Sequence, residues 1–199
     1  MKINFNISRH LSCFLPLLLF LCLISNLLQP RTLYAQEATI TDFTVSNSDT
    51  QLLLYLTVTD CFTDDMESAI HNGIPATFTY YVEIYRTRSN WPDKKIKKYE
   101  FNHIMEYDSL KKEYRIKRDD KNGIKLTTSP DEAKMLMSEV SGFEILPLAE
   151  IDPDSTFKIK VKAKLARKTL PLYFHYLIPF TSLWDFETEW HELTVHLAL

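Results

Sequence analysis

Glycine is scarce, with three in 199 residues. Loops that cradle phosphates need glycines in close succession, so a nucleotide-binding loop is excluded, and so is a flexible low-complexity chain. Cysteine is scarcer than its count of three suggests. Cys13 and Cys22 lie in an apolar amino-terminal segment, which leaves only Cys61 and excludes a structural disulfide in the processed chain. No His, Cys or carboxylate group has a recognised metal-ligand spacing, and His191-Glu192 lacks the second histidine of the metalloprotease helix motif. Neither a metal nor any other cofactor is expected. Positive charge is also in deficit: 23 basic residues face 26 acidic ones. Losing Lys2, Arg9 and Arg31 with a leader leaves 20 against 26, a net −6, which argues against a nucleic-acid partner.

What is present begins with an export signal. Lys2, Arg9 and His10 precede the apolar run Leu11 to Leu28, and Leu33-Tyr34-Ala35-Gln36 offers cleavage between Ala35 and Gln36. The predicted organisation is a leader over 1–35 and one domain over 36–199, in the periplasm. The other reading is an uncleaved anchor in the inner membrane over 11–28, which Pro16, Ser25 and Asn26 weaken.

The domain is organised around Gln51 to Arg88. Leu52, Leu54, Leu56 and Val58 alternate with Leu53, Tyr55, Thr57 and Thr59; Phe78, Tyr80, Val82 and Ile84 alternate with Thr77, Thr79, Tyr81, Glu83 and Tyr85. A period of two with β-branched and aromatic residues predicts two strands with one buried face each. Between them a short helix is expected, capped by Asp64 with Glu67 three residues on and closed by Gly73 before Pro75.

Further strands are expected over Ala38–Ser46, Lys94–Tyr107, Leu110–Arg118, Ile124–Thr128, Ser155–Lys168 and Asp185–Leu197. Asp119 to Gly123 forms a hairpin turn, since Asn-Gly accepts positive φ. A second helix is expected from Ser129 to Gly142, with Pro130 at its first turn and Ala133, Leu136, Met137 and Val140 inward. Leu170 to Trp184 is aromatic and broken by Pro171 and Pro179. Seven or eight antiparallel strands and two short helices predict a mainly β fold, an antiparallel sandwich of immunoglobulin-like kind, with a partly closed barrel as the other reading.

The chemistry-bearing residues are scattered. Cys61 lies among Asp60, Asp64 and Asp65, which oppose thiolate formation, and so reads as a packing residue. Glu187 and Glu189 share a strand face about 7 Å apart, a spacing compatible with glycoside hydrolysis. Lys158, Lys160, Lys162 and Lys164, with Lys94 to Lys98, form a basic face for anionic lipid or polysaccharide, unless Glu187 and Glu189 pair with them. Tyr173, Phe174, Tyr176, Phe180 and Trp184 provide core cover, a partner contact or a membrane-surface contact.

The stretches LLLYLTVTDCFTDDMESAI (Leu52 to Ile70), NGIP (Asn72 to Pro75) and SLWDFETEW (Ser182 to Trp190) resemble the bacterial envelope family called domain of unknown function 4390. The step from helix through Gly-x-Pro into a strand ending near a tryptophan turn, here Trp91, is similar as well. The resemblance spans nearly the whole processed chain and rests on structural motifs, so it carries over no functional residues. It implies an exported protein linked to envelope sensing by a histidine kinase. The expected function is a non-enzymatic binding module for an envelope protein or lipid. The alternatives are a carrier of an apolar ligand, with the Leu170 to Trp184 segment as lid, and a hydrolase using Glu187 and Glu189 or Cys61.

Overall fold

The computed structural model describes residues 38–152, 155–165 and 186–196. The leader with its Ala35–Gln36 boundary lies outside the described residues, as does the whole aromatic segment bearing Tyr173, Phe174, Tyr176, Phe180 and Trp184. In chain order the elements are β1 (Thr39–Asn47), β2 (Gln51–Thr59), α1 (Asp64–His71), β3 (Ala76–Arg86), β4 (Lys94–Asp108) and β5 (Glu113–Arg118). Then come β6 (Ile124–Thr127), α2 (Pro130–Ser138), β7 (Glu139–Pro147), a 3₁₀ turn (Leu148–Glu150), β8 (Thr156–Leu165) and β9 (His191–His196).

Two antiparallel sheets result, a three-stranded β1-β2-β7 and a six-stranded β6-β5-β4-β3-β8-β9. Strands β1, β2 and β7 take the places of immunoglobulin strands A, B and E, while β9, β8, β3, β4 and β5 take those of G, F, C, C′ and C″. The sheets face one another across a core in which Leu52, Leu54, Leu56 and Val58 meet Phe78, Tyr80, Val82 and Ile84, with Phe157, Ile159 and Val161 alongside. The alternation of apolar and polar residues thus places every second side chain of β2, β3 and β8 in one interior. Each fully buried large side chain contributes about 1.5–3 kcal/mol through apolar burial. The order is that of two open sheets, so the barrel reading fails.

Four local expectations are corrected. The cap of α1 is Thr63, whose hydroxyl accepts from the Met66 amide at 3.2 Å; Asp64 instead sits in the first turn, where its charge suits the helix dipole. The second helix stops at Ser138, four residues early, and Glu139–Pro147 runs on as β7 beside β2. Gly142 therefore closes no helix. It occupies the register shift where Leu54 faces Phe143 and Tyr55 faces Ser141, at φ +66°, the positive-φ position of a bulge. Leu110 was expected to open a strand, yet it is 94 % exposed in the turn held by Asp108, whose carboxylate accepts from the Leu110 and Lys111 amides. Such an Asx turn displaces the strand start to Glu113. The last strand is likewise shorter than Asp185–Leu197: it runs from His191 to His196, preceded by a single bridge between Lys164 and Glu187.

These assignments separate two leucine-like positions that look equally apolar in the sequence. Phe157→Ala, at a site with no exposed surface, is expected to cost about 3–5 kcal/mol in urea unfolding, whereas Leu110→Ala should stay within about 0.5 kcal/mol.

Candidate functional site

The outer face of the six-stranded sheet is where the chain concentrates charge and half-exposed aromatic rings. Residues out of phase with the core fill it: Thr79, Tyr81, Glu83 and Tyr85 on β3, Lys158 to Lys164 on β8, and Glu192 on β9. Strand register turns them into rows across the sheet. In one row Glu192 faces Lys160, Lys160 faces Glu83, and Glu83 faces Lys98, so sign alternates over four strands. Cross-strand neighbours of opposite charge stabilise a sheet face by a few tenths of a kcal/mol each.

The lysine ladder is therefore ion-paired throughout, four lysines on three carboxylates. Lys158 pairs with Asp93 at 2.9 Å, Lys160 with Glu192, and Lys162 and Lys164 with the two oxygens of Glu187 at 2.5 and 3.1 Å. The hydrogen bonds from Lys162 and Lys164 hold the Glu187 carboxyl below its ordinary range. Glu187 is the predicted partner; Glu189 does not join the ladder, and its carbonyl accepts from His191 Nδ1 at 3.2 Å. On β3, partial burial pushes the Glu83 carboxyl up, but hydrogen bonds from Lys95 at 2.7 Å and Tyr85 at 2.5 Å prevail and hold it low.

Between the paired charges lie aromatic faces. Lys98 sits 5.7 Å from the Tyr81 ring centre, Lys95 and Lys160 lie 5.3 and 5.8 Å from that of Tyr85, and Lys162 lies 5.6 Å from that of Trp190. Cation–π contact at such distances is worth about 0.5–1 kcal/mol at an exposed site. Trp190 is 40 % exposed. Sequence reading missed these three rings as a group, although the alternation on β3 already placed Tyr81, Glu83 and Tyr85 together.

A second gathering lies on the inner side, where α1 and α2 cover β4 and β5. A shallow cleft is floored by Phe62, Ile70 and Met105 and edged by His71, Tyr114 and Lys134. His71 donates from Nδ1 to the Glu67 carbonyl at 2.9 Å, so its Nε2 accepts the Tyr114 hydroxyl at 2.6 Å. Burial, with Tyr107 and Glu67 nearby, pushes the Tyr114 phenol up. The hydrogen bond to Glu67 at 2.9 Å likewise raises Lys134, keeping its amine protonated. At the cleft's edge both polar groups are thus already engaged, the Tyr114 hydroxyl by His71 and the Lys134 amine by Glu67.

Deeper under α2 is a triad that the sequence hid. His103 and Asp120 have fully buried side chains. His103 Nδ1 points at the Met137 carbonyl, 3.0 Å away, and Nε2 at Asp120 Oδ1, 2.8 Å away. Arg118 reaches both Asp120 oxygens, at 3.1 and 2.8 Å. Both His103 ring nitrogens thus face oxygen atoms, one of a carbonyl and one of a carboxylate. Burial pushes the Asp120 carboxyl up, yet hydrogen bonds and charge from His103 and Arg118 outweigh it and hold the carboxyl well below the carboxylate range. Asp120 was expected as a plain turn residue. Its position after Arg118 gave no sign that it folds back onto the sheet.

The remaining candidates are dispersed. Cys61 is buried, its thiol donates to the Val58 carbonyl at 3.4 Å, and burial pushes its pKa up to about 12. His196 Nδ1 lies 2.9 Å from the Thr156 hydroxyl on the sheet's edge. Among the described residues no three His, Cys, Asp or Glu side chains come together as a metal site.

An immunoglobulin-like sandwich with an ion-paired aromatic face on its larger sheet is the class that fold and site define. The chain belongs to the family described as "Domain of unknown function (DUF4390)", which matches residues 35–194. No curated protein and no solved structure is significantly similar to it.

The triad yields a pH dependence. A carboxyl whose folded pKa is depressed adds stability that is fully present above the unfolded value, about 3.9, and is lost as pH falls through the folded one. Stability should therefore drop steadily below about pH 4, and Asp120→Asn should flatten that limb. The same substitution should cost about 3–5 kcal/mol at pH 7, because it leaves the buried Arg118 cation without its carboxylate. Urea unfolding of both proteins across the acid range measures each effect.

Proposed function

We propose that this chain is an exported envelope protein that acts by binding rather than by catalysis, and that it docks another protein on the outer face of its six-stranded sheet. The observation that carries this reading is the set Tyr81, Tyr85 and Trp190, half-exposed and each under a lysine. Tyr and Trp are the side chains that most often anchor protein interfaces, since they bury a large area at small entropic cost. The lysines around them are already ion-paired, so the face carries little excess charge to draw a polyanion. It favours a partner that matches shape and rings instead. The family resemblance adds a specific candidate, the exported part of an envelope-sensing histidine kinase.

The groups that a hydrolase would use support the same reading from the other side. Cys61 has its thiol held protonated by burial, and Glu187 is clamped by two lysines. The aromatic lid that an apolar-ligand carrier would need lies outside the described residues. Export itself rests on the leader, with cleavage between Ala35 and Gln36.

Site-specific photo-crosslinking in the producing cell tests the surface. A photoreactive side chain at Tyr81 should give one protein adduct that the same group at Met135, exposed on α2, does not give. Replacing Tyr85 and Trp190 together by alanine should lower adduct yield at least tenfold, the effect of losing about 1.4 kcal/mol or more. Equal labelling from both positions, or full yield from the double variant, refutes the assignment.

A further inference from the structure

The connection between β3 and β4 stands apart from the sheet face and is built differently. Residues 87–92 are exposed throughout, and at their apex Trp91 is 74 % exposed. A tryptophan left this open in a water-facing turn loses the burial that normally repays its size, about 150–250 Å² of aromatic surface. Pro92 fixes its own φ and restricts Trp91 to extended conformations, so the ring is held out by a stiff turn. The same turn carries cations. Three residues before the ring is Arg88 and three after it is Lys94, both exposed. Neither has an ion-pair partner among the described residues. The single acid of the turn, Asp93, is engaged by Lys158, whose hydrogen bond at 2.9 Å holds the carboxyl low. Behind the tip, Arg86 and Lys95 are matched by Asp152 and Glu83 at 2.7 Å each. The charge left for a partner is thus the positive charge nearest the ring.

From this arrangement we infer that the β3–β4 tip is a membrane-surface anchor that seats Trp91 among the headgroups of an anionic bilayer, with Arg88 and Lys94 against its phosphates. Tryptophan is enriched at the headgroup level because its ring is apolar and its N–H is polar. Flanking cations gain from the negative surface potential of acidic lipids. A second copy of the chain is a poorer occupant, since a tip docked on a tip brings Arg88 and Lys94 against their own kind. A polyanion in solution would engage the cations and leave the ring unused. The sheet face proposed above for a protein partner is neutral by comparison, so the two surfaces divide the work: one holds the protein to the bilayer and the other remains open.

The test is co-sedimentation of the chain, purified after export, with two kinds of vesicle. One contains equal parts of phosphatidylglycerol and phosphatidylcholine, and the other phosphatidylcholine alone. Binding is expected to the acidic vesicles only, to weaken as salt shortens the electrostatic range, and to fall about tenfold in Trp91→Ala, the loss of about 1.4 kcal/mol. Arg88→Glu with Lys94→Glu should remove it, while circular dichroism and the unfolding midpoint stay unchanged because all three side chains are exposed. A retained leader would carry the protein into both vesicle types alike and would not respond to these substitutions. Equal binding to both vesicles, no binding to either, or undiminished binding of Trp91→Ala overturns the inference. So does a photoreactive group at position 91 that labels a protein and no lipid. Failure of the Tyr81 adduct leaves the inference intact, since none of the tip variants touches that face.

Discussion

One carbonyl oxygen, that of Met137, takes two buried hydrogen bonds from the opposite sheet, from the Tyr80 hydroxyl at 2.7 Å and from His103 Nδ1 at 3.0 Å. In a helix continuing past Ser138 that oxygen would accept from the amide four residues on. Here two side chains of the six-stranded sheet replace it. The helix therefore ends without a loop, and the chain turns directly into β7, the strand that completes the small sheet. Buried carbonyls must find donors, so an end of α2 elsewhere would leave Tyr80 and His103 unmet in the core. A third bond of this kind, from the Tyr99 hydroxyl to the Ile145 carbonyl at 2.7 Å, fastens the far part of β7 to the same sheet. The ring contact of Phe101 with Phe143, 4.5 Å between centres, lies between these ties. The two sheets are thus joined by directed polar bonds as well as by apolar burial, which fixes how one sits over the other.

The buried triad belongs to this junction. His103 spends one nitrogen on Met137 and the other on Asp120, and Arg118 closes the far side of that carboxylate. A buried cation is costly unless paired, so the β5–β6 turn that supplies Asp120 is drawn inward to meet it. α2 is held at two points: Lys134 ties its middle to Glu67 of α1 at 2.9 Å, and Met137 ties its last turn to β3 and β4. Helices and small sheet together cover the inner face of the large sheet, with α2 reaching β4, β5 and β6 and β2 and β7 covering the rest.

Those features were unequally legible in the sequence. The faces of β2, β3 and β8 could be read because burial enforces a strict period of two, and Phe157, Ile159 and Val161 kept it without interruption. The step from α2 to β7 could not, since Ser129 to Gly142 carries good capping residues at both ends and the deciding donors, Tyr80 and His103, are 57 and 34 residues away. A residue pattern holds local preference; it does not hold the identity of a distant hydrogen-bond donor. Leu110 misled for a nearer reason: Asp108 binds two following amides and makes a turn where alternation alone predicted a strand. The lysines of β8 were legible as an outward face and Glu187 as a partner for them, but Asp93 and Glu192 were not, because they reach the ladder only through the fold.

That pairing engages the charges of the β8 face, where Lys158, Lys160, Lys162 and Lys164 all reach carboxylates. An ion-paired sheet face keeps its rings in place before any partner arrives, which reduces the ordering entropy that association must overcome. The β3–β4 turn has the opposite character, an exposed Trp91 flanked by Arg88 and Lys94, which have no ion-pair partner among the described residues. The immunoglobulin-like order explains why both exist on one chain. Its large sheet keeps one face out of the core, and each hairpin of that sheet ends in a turn free to vary without disturbing the packing beneath it.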